Sequence, residues 1–345
     1  MRILFLYTEL ADYLVTCCKE LSLNNDVFII RYPVNKEAPF KFEFETLNVF
    51  DKSDFSFDAL CKKVNEINPD KIICSGWIDK DYLKIVKKYF NKIPTVIAFD
   101  TQWRGDLKQK MACILSPAFL LKRFSHAWVA GQRQAVYAGK LGFKKENVLQ
   151  GFYSCDVKLF QQYYFKFREA KSKQFPKRFL FVGRYYEFKG LLNLWEAFIQ
   201  LQSESPNEWQ LCCVGAGTLE PIEHPKIKHF GFVQPSAFEN IISQTGVFIL
   251  PSLYEPYGVV VHEYAGAGFP LICSNTVGAA DTFLNENENG FVFQAGNSEH
   301  LKQKMKKIIE MTDKELNLMS EKSVANSQKM TPQMWTKNLM SINLK

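Results

Sequence analysis

Short apolar runs alternate with amphipathic stretches, and the series occurs twice along this chain with a polar interval between. In the first series RILFLY, DVFII, KIICSG and TVIAFD read as strands, and LADYLVTCCKEL, FDALCKKVNEI and DYLKIVKKYF as helices. HAWVAG, QAVYAGKLGF and NVLQGF continue it as strand, helix and strand. Strands that are apolar along their whole length suit a sheet covered on both faces, and alternation with helices predicts that the sheet is parallel. Residues 157–178, VKLFQQYYFKFREAKSKQFPKR, show no clean period of two and read as a connection. The alternation then restarts. RFLFVG, WQLCCVG, KIKHFGF, GVFILPS, PLICSN and GFVFQ read as strands, with helices at GLLNLWEAFIQL, SAFENIISQ, VVVHEYAGAG and from about Ser298. The expected fold class is α/β, two Rossmann-like doubly wound domains in tandem, with ligands held at the carboxyl ends of the strands in an interdomain cleft. Thr331 and Pro332 form a helix-start signal, and Trp335, Leu339 and Ile342 then fall on one face.

The bulk numbers bound the function. A chain of 345 residues, 47% hydrophobic, can bury two cores. No apolar run approaches the ~20 residues needed to cross a bilayer. MRILFLYTEL has the pattern of a buried strand and lacks the basic and small-residue flanks of a signal peptide, so a cytoplasmic protein is expected. The nine cysteines are odd in number and show no CxxC spacing, which argues against a disulfide framework or a zinc site. Of the 43 Lys+Arg and 36 Asp+Glu, 26 and 19 lie in residues 1–170, leaving 17 of each for the rest. The whole excess charge is therefore in the first half. It suits a phosphorylated ligand or an anionic membrane surface as partner. Nucleic acid is not expected, because no zinc knuckle, helix-turn-helix or ribonucleoprotein signature is present.

Chemistry concentrates in EPYGVVVHE, from Glu255 to Glu263. The first glutamate falls in a loop before a helix and the second about a turn and a half inside it. Unpaired backbone N–H groups and the positive end of the helix dipole lie between them, a place to hold a diphosphate with a carboxylate on each side for sugar hydroxyls. Gly183, Arg184 and Lys189 stand in VGRYYEFKG, where a strand runs into a helix, and two fixed cations there suit a diphosphate leaving group. VGAG at 214–217 closes the next strand. Gly231–Val233 follows another, and the Val233 backbone could meet a base edge. TVGAAD at 276–281 is one more loop at the same sheet edge. Each alone has a plain alternative as a solvated or tightly turning loop.

Taken in order, VGR…KG, VGAG, GFV, LPSLYEPYGVVVHEYAGAG, PLICS and GAADTFLNENENGFVF resemble the donor domain of family 4 retaining glycosyltransferases, enzymes of the GT-B fold. The resemblance is close over residues 179–300. It continues weakly through 129–160, including the pair Asp156 and Phe160, and is limited to element order in the first hundred residues. It implies an N-terminal acceptor-binding domain at 1–165, a C-terminal nucleotide-sugar domain at 170–330, and a terminal helix, 331–345, that crosses back to the first domain. It implies that Arg184 and Lys189 contact the diphosphate, that Glu255 sits against the donor sugar, and that Glu263 binds the ribose. It further implies that the backbone of Tyr257, Gly258, Val259 and Val260 faces the diphosphate. The catalytic set is then Arg184, Lys189 and Glu255. No metal and no separate cofactor are expected; the substrate is a UDP- or GDP-linked sugar.

The first half departs from the family pattern. YTELADY carries no glycine where members have a Gly-rich loop, which puts Glu9 forward for the acceptor side. Phe99 stands where many members have a histidine, so that histidine's role does not carry over. Asp100, Gln102, Trp103 and Arg104 become acceptor-side candidates, against packing for Trp103 and capping for Asp100. His262, beside Glu263, is a candidate for shaping the site, whereas His126, His224, His229 and His300 stand in no constellation. The expected function is retaining transfer of a sugar to a hydroxyl of a growing, lipid-linked surface glycan. AFLLKRF and YYFKFR fit peripheral association with the inner face of an anionic membrane. A nucleotide-sugar 2-epimerase of similar architecture and a non-catalytic nucleotide-sugar binding subunit are the competing readings.

Overall fold

The computed structural model describes residues 1–34, 41–234 and 237–344. They form two units, residues 1–155 with 330–345, and residues 156–329. The first unit contains β1 (Arg2–Tyr7), β2 (Asp26–Arg31), β3 (Asn48–Asp51), β4 (Lys71–Ser75), β5 (Thr95–Phe99), β6 (His126–Val129) and β7 (Val148–Gln150). Their order is β3-β2-β1-β4-β5-β6-β7, every pairing parallel. Ile3 to Leu6 are fully buried, as a central strand with helices on both faces requires. The direction of winding reverses between β1 and β4. There the Thr8 backbone N–H donates to Ser75 Oγ at 2.9 Å and ties the two carboxyl ends together.

The second unit contains β8 (Arg178–Val182), β9 (Gln210–Val214), β10 (Ile227–His229), β11 (Val247–Leu250), β12 (Leu271–Ser274) and β13 (Gly290–Phe293). Their order is β10-β9-β8-β11-β12-β13, again wholly parallel. Winding reverses between β8 and β11. Both units therefore have the doubly wound architecture that the alternating sequence implies.

Residues 157–178 are not a structureless connection. Val157–Lys173 is one helix of 17 residues, capped by Asp156, whose Oδ1 accepts from the Leu159 backbone N–H at 3.0 Å. It belongs to the second unit, and the first unit ends at Cys155. Its buried contacts are aromatic: Phe160 and Tyr163 meet edge to face at 6.0 Å, and Phe160 meets Tyr264 at 6.2 Å.

Residues 330–345 pack in the first unit. Thr331 caps the helix Pro332–Met340 through Oγ1, which accepts from the Met334 N–H at 3.2 Å. Trp335 is fully buried, 4.8 Å from the ring of Trp128 and 6.0 Å from that of Phe5. Its indole N–H donates to the Phe152 carbonyl at 2.7 Å. Lys71, the first residue of β4, is also fully buried. Its ammonium donates to the carbonyls of Leu339 (3.2 Å), Met340 (3.0 Å) and Ile342, at and just past the end of that helix, where carbonyls run out of partners within the helix. Burial lowers its pKa.

Candidate functional site

The reversal between β8 and β11 places two loops side by side at the carboxyl end of the second sheet, the usual ligand position in a doubly wound fold. The loop after β8 runs through Arg184 into a short 3-10 turn, Glu187–Lys189, and stops at Gly190. Gly190 has φ 71°, and a Cβ there would overlap the Pro251 carbonyl oxygen of the loop after β11. Only glycine allows both the left-handed turn and that approach. The N–H of Leu253 donates back to the Phe188 carbonyl at 2.8 Å, which closes the two loops together.

The joined loops bring Lys189 and Glu255 into contact. Lys189 Nζ lies 2.6 Å from Glu255 Oε2, with Glu255 only 6% exposed. Ser252 Oγ donates to the same Oε2 at 2.9 Å. Ser252 is fixed in turn, since its carbonyl accepts from Ser274 Oγ at 2.5 Å and from Thr276 Oγ1 at 2.8 Å. A carboxylate is thus held by an ammonium and by a hydroxyl whose own residue is fixed from the next strand and loop. Ser252, Ser274 and Thr276 lie in stretches singled out in the sequence, but none of the three was given a role of its own. The PS pair before LYEP was the available signal.

Gly258 heads the helix Val259–Gly266 with φ 88°. A Cβ there would sit 3.0 Å from Glu255 Cγ and 3.1 Å from Leu250 Cδ2, so the turn is closed against the carboxylate it follows. Tyr257 is buried, and its carbonyl accepts from the Ala279 N–H at 2.7 Å, which docks the TVGAAD loop beside the helix start. Glu263 lies on the helix, half-buried, between buried His262 and Tyr264. His262 is a structural residue of this unit. It stacks on Phe283 at 4.0 Å, and its Nε2 bonds the Ser327 carbonyl at 2.8 Å.

The remaining donor-side candidates sit on the same sheet edge. Gly183 follows β8, and its N–H donates to the Val214 carbonyl at 3.0 Å. Arg184 is half-buried, with its guanidinium 5.5 Å from the Tyr186 ring centre. Val233 is half-buried in the loop after β10. His229 is spoken for: its Nδ1 lies 2.9 Å from the Tyr185 hydroxyl and its Nε2 3.1 Å from the Ile222 carbonyl.

In the first unit Glu9 lies in the loop after β1, and Asp100, Gln102, Trp103 and Arg104 in the loop after β5. Glu9 is exposed in the loop after β1. Asp100 follows β5 and accepts from the Tyr153 hydroxyl at 3.3 Å. Tyr153 meets Tyr13 edge to face at 5.2 Å. Burial, and then the Asp100 carboxylate, push the Tyr153 phenol well above its ordinary pKa, so it stays a hydrogen-bond donor. Tyr13 and Tyr153 were missed because they come from distant parts of the chain, the helix Asp12–Ser22 and the loop after β7. Gln102 is buried, and its carbonyl accepts from Gln109 Nε2 at 2.8 Å. Trp103 packs against Tyr137 at 5.7 Å, with the Lys140 ammonium 4.8 Å from its ring centre. Arg104 is exposed and pairs with Asp106 at 3.1 Å. Phe99 is a core residue, edge to face with Trp77 and Tyr137. Among the described residues no group of three or more His, Cys, Asp or Glu side chains is arranged to hold a metal ion.

Two parallel-sheet Rossmann-like units, the second with a glycine-headed helix beside an anchored carboxylate, define a class of fold whose structural neighbours are GT-B glycosyltransferases. Anabaena HepE, solved in complex with UDP and glucose, superposes with a TM-score of 0.73 over 99% of this chain and 100% of that one, at 16% identity. Residues 164–325 match the family model of glycosyl transferases group 1. Two curated relatives align over part of their length. An uncharacterized glycosyltransferase of Methanocaldococcus jannaschii is 27% identical over 127 residues, which is 34% of this chain and 32% of that protein. The capsular polysaccharide biosynthesis glycosyltransferase CapM of Staphylococcus aureus is 28% identical over 183 residues, 49% of this chain and 45% of that protein. The chain thus spans from just under a third to just under half of the length of these curated relatives.

Proposed function

We propose that this protein is a retaining glycosyltransferase that moves a sugar from a UDP-linked donor to a hydroxyl of a growing, lipid-linked surface glycan. The observation that carries the reading is the Lys189–Glu255 ion pair, which bridges the two loops at the winding reversal of the unit matched by the glycosyl transferases group 1 model. UDP in the HepE complex supports the choice of nucleotide, and the name of CapM supports the choice of product.

In this reading the donor diphosphate lies against the backbone N–H groups at Gly258–Val260, where the helix dipole is positive. Arg184 and Lys189 meet the charge that grows on the diphosphate as the sugar bond breaks, so their contribution is largest in the transition state. Glu255, held by Lys189 and Ser252, orients the sugar, and Glu263 takes the ribose hydroxyls. The acceptor hydroxyl attacks from the face the diphosphate leaves, and the departing phosphate receives its proton. These cationic and dipolar groups supply the positive charge, so the reading requires no divalent ion. The lipid-linked acceptor places the reaction at a membrane surface on the cytoplasmic side.

Incubation with isotope-labelled UDP-sugars and a lipid extract tests this. The expected result is UDP release with label in a lipid-extractable glycan, its anomeric configuration unchanged by NMR. An isomerised nucleotide sugar would instead make the protein an epimerase, and binding without turnover would make it a binding subunit.

A further inference from the structure

The helix Leu107–Phe119 of the first unit is laid on its domain the opposite way round from an ordinary surface helix. Its inward side is thin and partly polar: Gln109 and Ser116 are the residues it buries. Its outward side is apolar. Leu107, Met111, Ile114, Leu115 and Phe119 are exposed, from 38% at Phe119 to 79% at Leu107. At 3.6 residues per turn these five span roughly 140° of the helix circumference, a mainly apolar face that Lys108 enters only at its N-terminal end. Single exposed apolar residues are ordinary on a protein surface, but five on one face of one helix mark an interaction site.

The charge around that face selects the partner. From Leu107 to Lys145 the sequence has eight Lys or Arg and no Asp or Glu, while Asp106, which caps the helix, is paired with Arg104. Lys108 and Lys110 are exposed on the helix itself, and Lys122 is exposed just past its end. Arg123 lies beside Phe119, its guanidinium 4.1 Å from the ring centre and donating to the Phe119 carbonyl at 2.6 Å. A second copy of this chain would bring the same cations against these, so self-association through this face sets like charges together. An anionic bilayer accepts both parts of the pattern, the apolar face among the acyl chains and the cations at the headgroups. No helix among the described residues is long and apolar enough to cross a membrane, so the association is one of lying on the surface.

We propose that Leu107–Phe119 is an in-plane docking helix that seats the first unit on anionic lipid, through its apolar face and the Lys/Arg residues that border it. This deepens the reading above, on which the role of that membrane as the source of acceptor rests. The docking surface itself stands on exposure and charge alone.

Vesicle co-sedimentation of the full chain tests it, using equal parts phosphatidylcholine and phosphatidylglycerol against phosphatidylcholine alone. The expected result is binding to the anionic vesicles only. A triple variant, Met111→Ser with Ile114→Ser and Leu115→Ser, should lose that binding. A second variant, Lys108→Gln with Lys110→Gln and Lys122→Gln, should weaken it on the order of a hundredfold, at about fivefold per charge. All six side chains are exposed, and UDP calorimetry on both variants should match the parent chain. Failure of the parent to bind anionic vesicles would overturn the proposal. So would undiminished binding by the triple variant, or a parent dimer that the triple variant converts to monomer. If the parent binds vesicles but not UDP, the donor reading fails while the docking helix stands.

Discussion

Lys189 and Glu255 belong to loops after two different strands, yet their charged groups lie 2.6 Å apart in a largely buried pair. The contact does two things at once. It locks the two loops at the winding reversal of the sheet, and it fixes where a carboxylate and an ammonium stand beside the Gly258 helix start.

Removing one partner should therefore cost stability as well as rate. Lys189→Ala takes the ammonium from the buried Glu255 carboxylate, a loss of roughly 3 kcal/mol. Turnover should fall more than KM rises, because the ammonium matters most as the diphosphate leaves. Lys189→Met combined with Glu255→Gln should recover much of the stability in urea unfolding and none of the turnover. Equal turnover with a raised KM would reduce Lys189 to a ground-state binder.

Glu263→Ala should weaken UDP binding by about 1.5–3 kcal/mol, the worth of a hydrogen bond to a charged group, or roughly ten- to a hundredfold in Kd. Calorimetry with UDP reads this directly. Unchanged affinity would make Glu263 an ordinary helix residue.

Trp335→Ala should destabilise the first unit by about 3–5 kcal/mol, the usual cost of emptying a buried aromatic site. Trp335→Phe should be milder, losing chiefly the indole bond to the Phe152 carbonyl. Hydrogen exchange should quicken in residues 1–155 and stay unchanged in 156–329. Quickening confined to 156–329 would contradict the packing described here.

Lys171 sets a pH dependence in the second unit. The residue as a whole is only partly buried, but its ammonium is enclosed, donating to the Thr245 carbonyl at 2.8 Å and lying 4.3 Å from the Phe269 ring centre. Burial lowers its pKa to about 7. Between that value and about 10.4, the ordinary lysine value, the unfolded chain binds the extra proton, so stability rises with pH across the window. Lys171→Met removes this contribution. The variant's Tm relative to the parent should be highest at or below about pH 7 and should drop toward pH 10. A constant difference across that range would show that Lys171 keeps its ordinary pKa.

The strands other than β3 were legible because most are short unbroken apolar runs, and RILFLY and GVFILPS could be little else; β3, NVFD, is a short edge strand with no fully buried residue and was not read. The Glu255–Glu263 spacing was legible because a loop and a helix start fix each other's geometry locally. What escaped the sequence was decided by distant partners. Val157–Lys173 was missed because its inward side chains are aromatic and interleaved with lysines, so a helical spacing was masked by composition. Asp156, three residues before the N–H it caps, was the overlooked signal. Trp103 gave no hint that its neighbour would be Tyr137, and Tyr153 none that its hydroxyl would reach Asp100. KIICSG read as a strand gave no sign that Lys71 at its start would be fully buried against the terminal helix.

The Lys71 contacts have a consequence for the order in which the protein is made. They join the start of β4 to carbonyls about 270 residues further along the chain. Everything in 156–329 must leave the ribosome before Lys71 meets Leu339 and before Trp335 covers Phe5 and Trp128. At about 5–20 residues per second that interval lasts roughly 10–35 s. The unit begun first is thus completed last, and during that wait its aromatic core lacks its final layer. The later unit is free to finish folding while the earlier one waits.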